Sequence, residues 1–251
     1  MSQMSLPLGS EVGPTKSAVK RAGETLRTVQ LGGVVSAADY STAYLTLIGY
    51  RAAHQYPLIK ATNVLRHMVR AENCDVEVSQ RLKRIPTILD KLRREPEMDL
   101  SRMQDFGGCR AVLKNIDEVR RVQTRVSRAH RRRTGREPHV KDYITTPRDT
   151  GYRGVHVIVT YDGRLVEVQL RTKVMHEWAI TVERLAGRTG LNLKSDEGPP
   201  ELQEFFAHVS LLMAIDEAGE TADPDMLSRM TTLRDTALQF LNGENRSWEG
   251  R

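Results

Sequence analysis

Apolar positions change their period several times along this chain, and each change predicts a different element. Between residues 38 and 72, Tyr44, Leu45, Ile48, Leu58, Ile59, Val64, Leu65 and Met68 fall at helical spacings, with an interruption expected near Pro57. Residues 75–83 alternate as a strand does, and residues 87–94 read as a short helix with Pro86 at its start. A second strand is predicted over 107–114 and a helix over 117–131; residues 140–147 read as a loop. Helices follow over 172–186, 200–217 and 225–241, the last two preceded by the break Gly198-Pro199-Pro200. Residues 1–35 are rich in Ser, Gly and Val with little period, which predicts a mobile, loosely packed segment. Strands alternating with helices give an α/β fold: a mixed β-sheet flanked by helices, with helical N- and C-terminal extensions. The expected divisions are a flexible segment 1–37, a central domain 38–190 and a helical extension 191–251.

Between the third and fourth of these helices lies the most informative pattern, residues 150–172. Asp162-Gly163 tolerates the positive φ angles of a two-residue turn and closes a hairpin. A type I′ turn would pair Tyr161 with Arg164, and then Val157 with Val168 and His156 with Gln169. One face is then Val155, Val157, Val159, Val166, Val168 and Leu170, while the other carries His156, Glu167, Gln169 and Arg171. An acid, an amide, an imidazole and a guanidinium on one face, beside a Gly-Tyr-Arg-Gly loop, suit a polyphosphate-handling site.

Composition narrows the picture. The 251 residues carry a net charge of +6, and the mean hydropathy is −0.47 with a pI near 9.4. These values favour anionic partners such as nucleotides or nucleic acid. No apolar run reaches the length of a membrane span, and residues 1–20 lack the apolar core of a signal peptide. Cys74 and Cys109 make no ligand spacing and read as two reduced thiols in a cytoplasmic protein. The basic excess crowds into Arg125, Arg128, His130, Arg131, Arg132, Arg133 and Arg136, either a solvated helix end stopped by Gly135 or a contact for a phosphate backbone.

Four clusters carry candidate chemistry. Arg81, Lys83, Thr87 and Lys91 run from a strand end into a helix start, forming a triphosphate cradle or simply a basic helix terminus. Asp105, Gly108 and Arg110 enter the second strand; a carboxylate at a strand mouth can hold Mg²⁺ or cap the local turn. Tyr152, between Gly151 and Arg153, can stack on a nucleobase or close the core. Glu167, Gln169 and Arg171 recur at period two, so Glu167 can complete a metal site, accept a proton, or pair across strands. Met175 and Trp178 read as core, and His176 as structural.

In this order the clusters resemble the synthetase domain of the RelA/SpoT family of alarmone synthetases. The pattern R-x-K-x-x-x-S-x-x-x-K is matched by Arg81, Lys83, Thr87 and Lys91, and D-x-x-G-x-R by Asp105, Gly108 and Arg110. The Gly-Tyr-x-Ser-Leu-His loop appears as residues 151–156, E-[IV]-Q-[IL]-R-T as residues 167–172, and the Met-His-x-x-Ala helix starts at Met175. The resemblance covers about residues 45–190 and implies a nucleotidyltransferase-like fold. The implied activity moves pyrophosphate from ATP to a ribose 3′-hydroxyl, with Mg²⁺ as cofactor and AMP released. On that resemblance Arg81, Lys83, Thr87, Lys91 and Arg110 bind ATP. Asp105 and Glu167 hold the metal, with Glu167 as general base. Tyr152 stacks on the acceptor base, and Arg153, His156, Gln169, Arg171 and Lys141 position the acceptor.

The departures from the family pattern lie near the acceptor: Gly154 replaces Ser, which is expected to loosen the loop, and Arg184 stands where a helix His is often found. No His-Asp dipeptide of the family's hydrolase domain occurs, so the chain resembles the small, synthetase-only members. Two acceptors follow from that resemblance. One is GDP or GTP, giving (p)ppGpp. The other is the 3′ CCA end of tRNA, as in toxic members that block translation, with Arg128, Arg131, Arg132 and Arg133 as tRNA contacts and an antitoxin as partner. A catalytically dead nucleotide-sensing scaffold is disfavoured because Asp105 and Glu167 are both present. Homo-oligomers are common among the small members, although the C-terminal helices could equally cover a monomer.

Overall fold

The computed structural model describes residues 13–191, 193 and 198–248. In chain order the elements are α1 (Lys16–Gln30), α2 (Ala37–Ala52), α3 (Gln55–Ala71), β1 (Val78–Leu82), α4 (Ile85–Arg94) and a 3-10 turn (Leu100–Arg102). They continue with β2 (Gly107–Leu113), α5 (Ile116–Thr134), β3 (His139–Asp142), β4 (Val155–Tyr161) and β5 (Arg164–Thr172). Three helices close the chain: α6 (Lys173–Thr189), α7 (Pro200–Glu217) and α8 (Pro224–Trp248). The five strands form one mixed sheet flanked by helices, as the alternating pattern predicts, and their order is β1-β2-β5-β4-β3.

The chain divides into two compact units, one of residues 1–66, 78–109 and 158–168, the other of residues 67–77, 110–157 and 169–251. The boundaries fall inside α3, β2, β4 and β5 and just before β1. In the first unit Val19 and Leu26 of α1, Leu47 of α2, Ile88 and Leu92 of α4, and Leu100, Met103 and Phe106 form a core that excludes water. Arg27 ties α1 to this core by donating to the carbonyls of Leu92 and Met98. In the second unit Trp178 and Val182 of α6 pack with Leu202 and Phe206 of α7 and Ala237 of α8.

Several expectations need correction. Of the segment 1–37 expected to be mobile, residues 1–12 lie outside the described residues, but residues 16–30 form helix α1. Its N-cap Thr15 accepts a hydrogen bond from the Ala18 N–H, and Val19 and Leu26 are at most 1% exposed. Gly23 belongs there because a Cβ would lie 2.6 Å from Leu100 Cβ. The interruption near Pro57 falls instead at Ala53–His54; Pro57 sits in the first turn of α3, where its missing N–H costs little. The stretch 140–147, expected as a loop, begins with the edge strand β3.

The hairpin turn has φ of 48° at Asp162 and 71° at Gly163, the two positive values that a type I′ turn requires. Its valine face is buried as predicted. The opposite face is also covered: His156, Glu167 and Arg171 are only 7%, 8% and 9% exposed. Such groups keep their polarity inside a protein only with partners, so this face is a built polar interior. Among the described residues no helix is long and apolar enough to cross a membrane, and Cys74 and Cys109 are free and buried.

Candidate active site

Within the first unit, β1, α4 and the entry to β2 bring two lysines onto one aspartate. Lys83 follows β1, its N–H donates to the Phe106 carbonyl at 2.8 Å, and its own carbonyl accepts from Arg51 Nε at 2.7 Å. Lys91 projects from α4, which Ile88 and Leu92 anchor in the core. Lys83 Nζ stands 2.8 Å from Asp105 Oδ2, and Lys91 Nζ stands 3.3 Å from Asp105 Oδ1. Burial alone would push the Asp105 carboxyl up, but the two ammonium groups outweigh it and hold the carboxyl below its ordinary value. Thr87, one turn before Lys91, is exposed, as is Arg81 on β1. The Arg84 side chain makes no cap at the start of α4, and Pro86 stands in its first turn.

Glu167 lies on β5 beside this cluster. Its charge acts on Asp105, raising that carboxyl against the pull of the lysines, and its carbonyl approaches the position a Cβ on Gly108 would take to 3.5 Å. Burial pushes the neighbouring Cys109 thiol up to about 12, which removes it as a nucleophile. Among the described residues no group of three or more His, Cys, Asp or Glu side chains could hold a metal by itself. Mg²⁺ fits this donor set nonetheless, because it takes one or two carboxylates and completes its shell with phosphate oxygens and water.

A second polar cluster lies within the second unit. Tyr152 Oη is 2.5 Å from His156 Nε2 and accepts from Arg171 Nε at 3.1 Å, while the Arg171 guanidinium also donates to Gln169 Oε1 at 3.2 Å. Arg171 lies 4.8 Å from the centroid of the Tyr152 ring. Four of the proposed acceptor residues, Tyr152, His156, Gln169 and Arg171, are therefore one hydrogen-bonded network. Gly154, at φ 153°, is tightly held: a Cβ there would stand 3.1 Å from Tyr152 Oη and 3.2 Å from Arg171 Cγ. The expectation that glycine loosens this loop is thus overturned, since a serine would be strained and crowded.

Sequence reading missed two members of this cluster. The Tyr143 ring meets those of Tyr152 and His156 edge-on at 5.6 and 5.3 Å, and Arg148 stacks 4.5 Å over Tyr143 while donating to its hydroxyl at 2.8 Å. The signal was the aromatic and cation flanking Pro147. Asp142 braces the same loop by accepting from the Ile144 and Thr145 N–H groups, both at 3.1 Å, and from Arg120.

The remaining candidates are dispersed. Arg153 is 3.7 Å from Glu217 at the end of α7. Lys141 is half-buried on β3 and Arg110 half-buried on β2. Burial first, and then the charges of Arg110 and Arg171, lower the pKa of His176, which therefore stays neutral at neutral pH. On α5, Arg121, Arg125, Arg128 and Arg132 recur at spacings of four, three and four and are all exposed. Glu72 engages Arg125 at 2.7 Å and Arg121 at 3.6 Å, and Arg131 pairs with Glu137 at 2.8 Å. Arg133 and Arg184 are exposed on α5 and α6, and Gly135 ends α5 in the left-handed conformation.

Residues 80–184 match the family model described as a region found in RelA / SpoT proteins. The chain is 36% identical over 126 residues to the uncharacterized protein Rv1366 of Mycobacterium tuberculosis, covering 50% of this chain and 45% of that protein. The matched part thus spans less than half the length of that relative. It is 31% identical over 159 residues to the GTP pyrophosphokinase YjbM of Bacillus subtilis, covering 59% of this chain and 69% of that one. In fold it resembles the small alarmone synthetase 1 of Bacillus subtilis bound to its product pppGpp, with a TM-score of 0.53 at 24% identity over 69% of this chain and 91% of that one. With the five motifs standing in order along the matched region, the chain belongs to the RelA/SpoT family.

Proposed function

We propose that this protein transfers the β,γ-pyrophosphate of ATP to the 3′-hydroxyl of GDP or GTP, making (p)ppGpp and releasing AMP. The observation that carries the reading is Asp105 held between Lys83 and Lys91, with the buried Glu167 acting on it. Two cations gathered on a displaceable carboxylate are what a polyphosphate would recruit. In the reaction the acceptor 3′-oxygen bonds to the β-phosphorus, the bond from that phosphorus to the α,β-bridging oxygen breaks, and AMP leaves with that oxygen. The Glu167 carboxylate accepts the hydroxyl proton. Lys83 and Lys91 turn from Asp105 to the phosphates, Arg81, Thr87 and Arg110 add donors, and together they neutralise charge that builds during transfer. Mg²⁺, held by Asp105 and Glu167, would neutralise charge on the donor's phosphates. Tyr152, His156, Gln169 and Arg171, joined by Tyr143 and Arg148, receive the acceptor. The Bacillus subtilis relative YjbM is a GTP pyrophosphokinase, which supports a guanine nucleotide there.

The arginine stripe on α5 favours a second reading, in which the acceptor is the 3′ end of tRNA and the protein is a toxin with an antitoxin partner. Four guanidiniums in line over about 16 Å match the spacing of a phosphodiester backbone better than one nucleotide. Incubating the protein with Mg²⁺ and ATP labelled on its γ-phosphate, with GDP, GTP and deacylated tRNA offered in parallel, tests both. Label in ppGpp or pppGpp is expected; label on tRNA alone would replace the first reading with the second.

A further inference from the structure

The acceptor loop does not stand alone in its unit; it is pressed against α7. Gly151 sits at φ 84°, and a Cβ on it would fall 2.7 Å from Ala207 Cα and 2.9 Å from the Phe206 carbonyl oxygen. That same carbonyl accepts a hydrogen bond from Trp178 Nε1 at 2.9 Å, and Tyr152 packs against the Trp178–Phe206 cluster. About three turns further along the helix, Glu217 reaches Arg153 at 3.7 Å, with side chains only 7% and 11% exposed. Neither carboxylate oxygen of Glu217 has a hydrogen-bond partner, and the residue ends a helix, where the backbone dipole disfavours a negative charge. The guanidinium of Arg153 is the charge that offsets both penalties.

We propose that α7 is a positioning element of the acceptor site, with Arg153–Glu217 as the ion pair that fixes the Gly151-Tyr152-Arg153 loop. Arg153 was expected to touch the acceptor; in this assignment it acts through Tyr152, whose ring and hydroxyl lie one residue away in the network with His156 and Arg171. A helix outside the matched family region thereby sets the geometry of a loop inside it. The inference rests on the reading of residues 151–171 as the acceptor half of the reaction.

The test pairs a structural readout with a kinetic one. In Glu217→Gln, amide exchange at Tyr143, Arg148 and Gly151, whose N–H groups bond within the loop, should quicken by about tenfold while exchange in α5 stays unchanged. In steady state KM for the acceptor should rise about tenfold with KM for ATP unaltered. Should Glu217→Gln fold poorly, the double variant Arg153→Met/Glu217→Met removes both charges without leaving one buried alone, and the same changes are expected. Unchanged loop exchange would overturn the proposal, and so would equal rises in both KM values. If the unaltered protein transfers pyrophosphate to neither guanine nucleotide nor tRNA, the catalytic reading falls, and loop exchange still decides whether the ion pair fixes the loop.

Discussion

Glu167 is the side chain on which the proposed chemistry most depends. It is 8% exposed, on a strand held from both sides, so its carboxylate has little freedom to move. Glu167→Gln keeps the shape and removes the charge that would accept a proton. We expect transfer to fall at least about a thousandfold with ATP binding retained, measured by single-turnover kinetics beside equilibrium titration. Another buried residue gives an acid-sensitivity prediction. His54 is 1% exposed, stacks on Phe106 with ring centroids 4.9 Å apart, and burial lowers its pKa to about 4. A histidine whose folded pKa lies below its unfolded value contributes stability fully present above about 6.5 and lost as pH falls towards about 4. The loss amounts to about 3 kcal/mol across that window, and His54→Gln should flatten it in urea titrations at pH 7 and pH 4.5. Asp105 is shifted in the same direction, held below its ordinary value by Lys83 and Lys91 against its burial, so its contribution is present above the ordinary carboxylate value and lost as pH falls below it.

Among elements, the hairpin shows where sequence is most legible and why. Asp162-Gly163 prescribes its turn, and the turn prescribes which side chains share a face. Alternation could not say that the polar face would be covered too, because coverage depends on packing far from it in sequence. The strand β3 was illegible for a different reason: of His139–Asp142 only Val140 is apolar, and an edge strand of four residues has no period to read. Helix α1 hid its apolar stripe of Val19, Ala22 and Leu26 among charges and Gly23, whose value lies in its approach to Leu100. At the candidate site the motifs gave residue types and order. They did not give the pairing of two lysines with Asp105, nor Tyr143 and Arg148, which enter through loop packing. Gly154 offers the test at this scale. Restoring the family's serine, Gly154→Ser, should destabilise the protein by about 1–3 kcal/mol, read as a lowered Tm, because φ 153° and two contacts near 3.2 Å oppose any Cβ.

For the whole molecule, a net charge of +6 is less telling than its distribution. Glu72 and Glu137 already engage three of the α5 arginines, while Arg128 and Arg132 stand exposed on the same stripe. Binding of tRNA to the protein should weaken as salt rises. The double variant Arg128→Glu/Arg132→Glu should make the slope of log K against log salt shallower by about two, the signature of two lost phosphate contacts. An unchanged slope would assign the stripe to solvation alone.

The interleaving of the two units has a consequence for how the chain comes to be folded. Neither unit is a continuous stretch: each is assembled from three segments, and the first is complete only when residue 168 of 251 is available. During synthesis the core of α1, α2 and α4, supplied by residues 19–106, can close before the hairpin emerges, while the last segment of this unit, residues 158–168, joins later. No single cut liberates either unit intact. A truncated chain ending before β5 would lack the strand that stands between β2 and β4, leaving open sheet edges, so ribosome stalling or a premature stop should yield a substrate for chaperones and proteases rather than a half-active fragment.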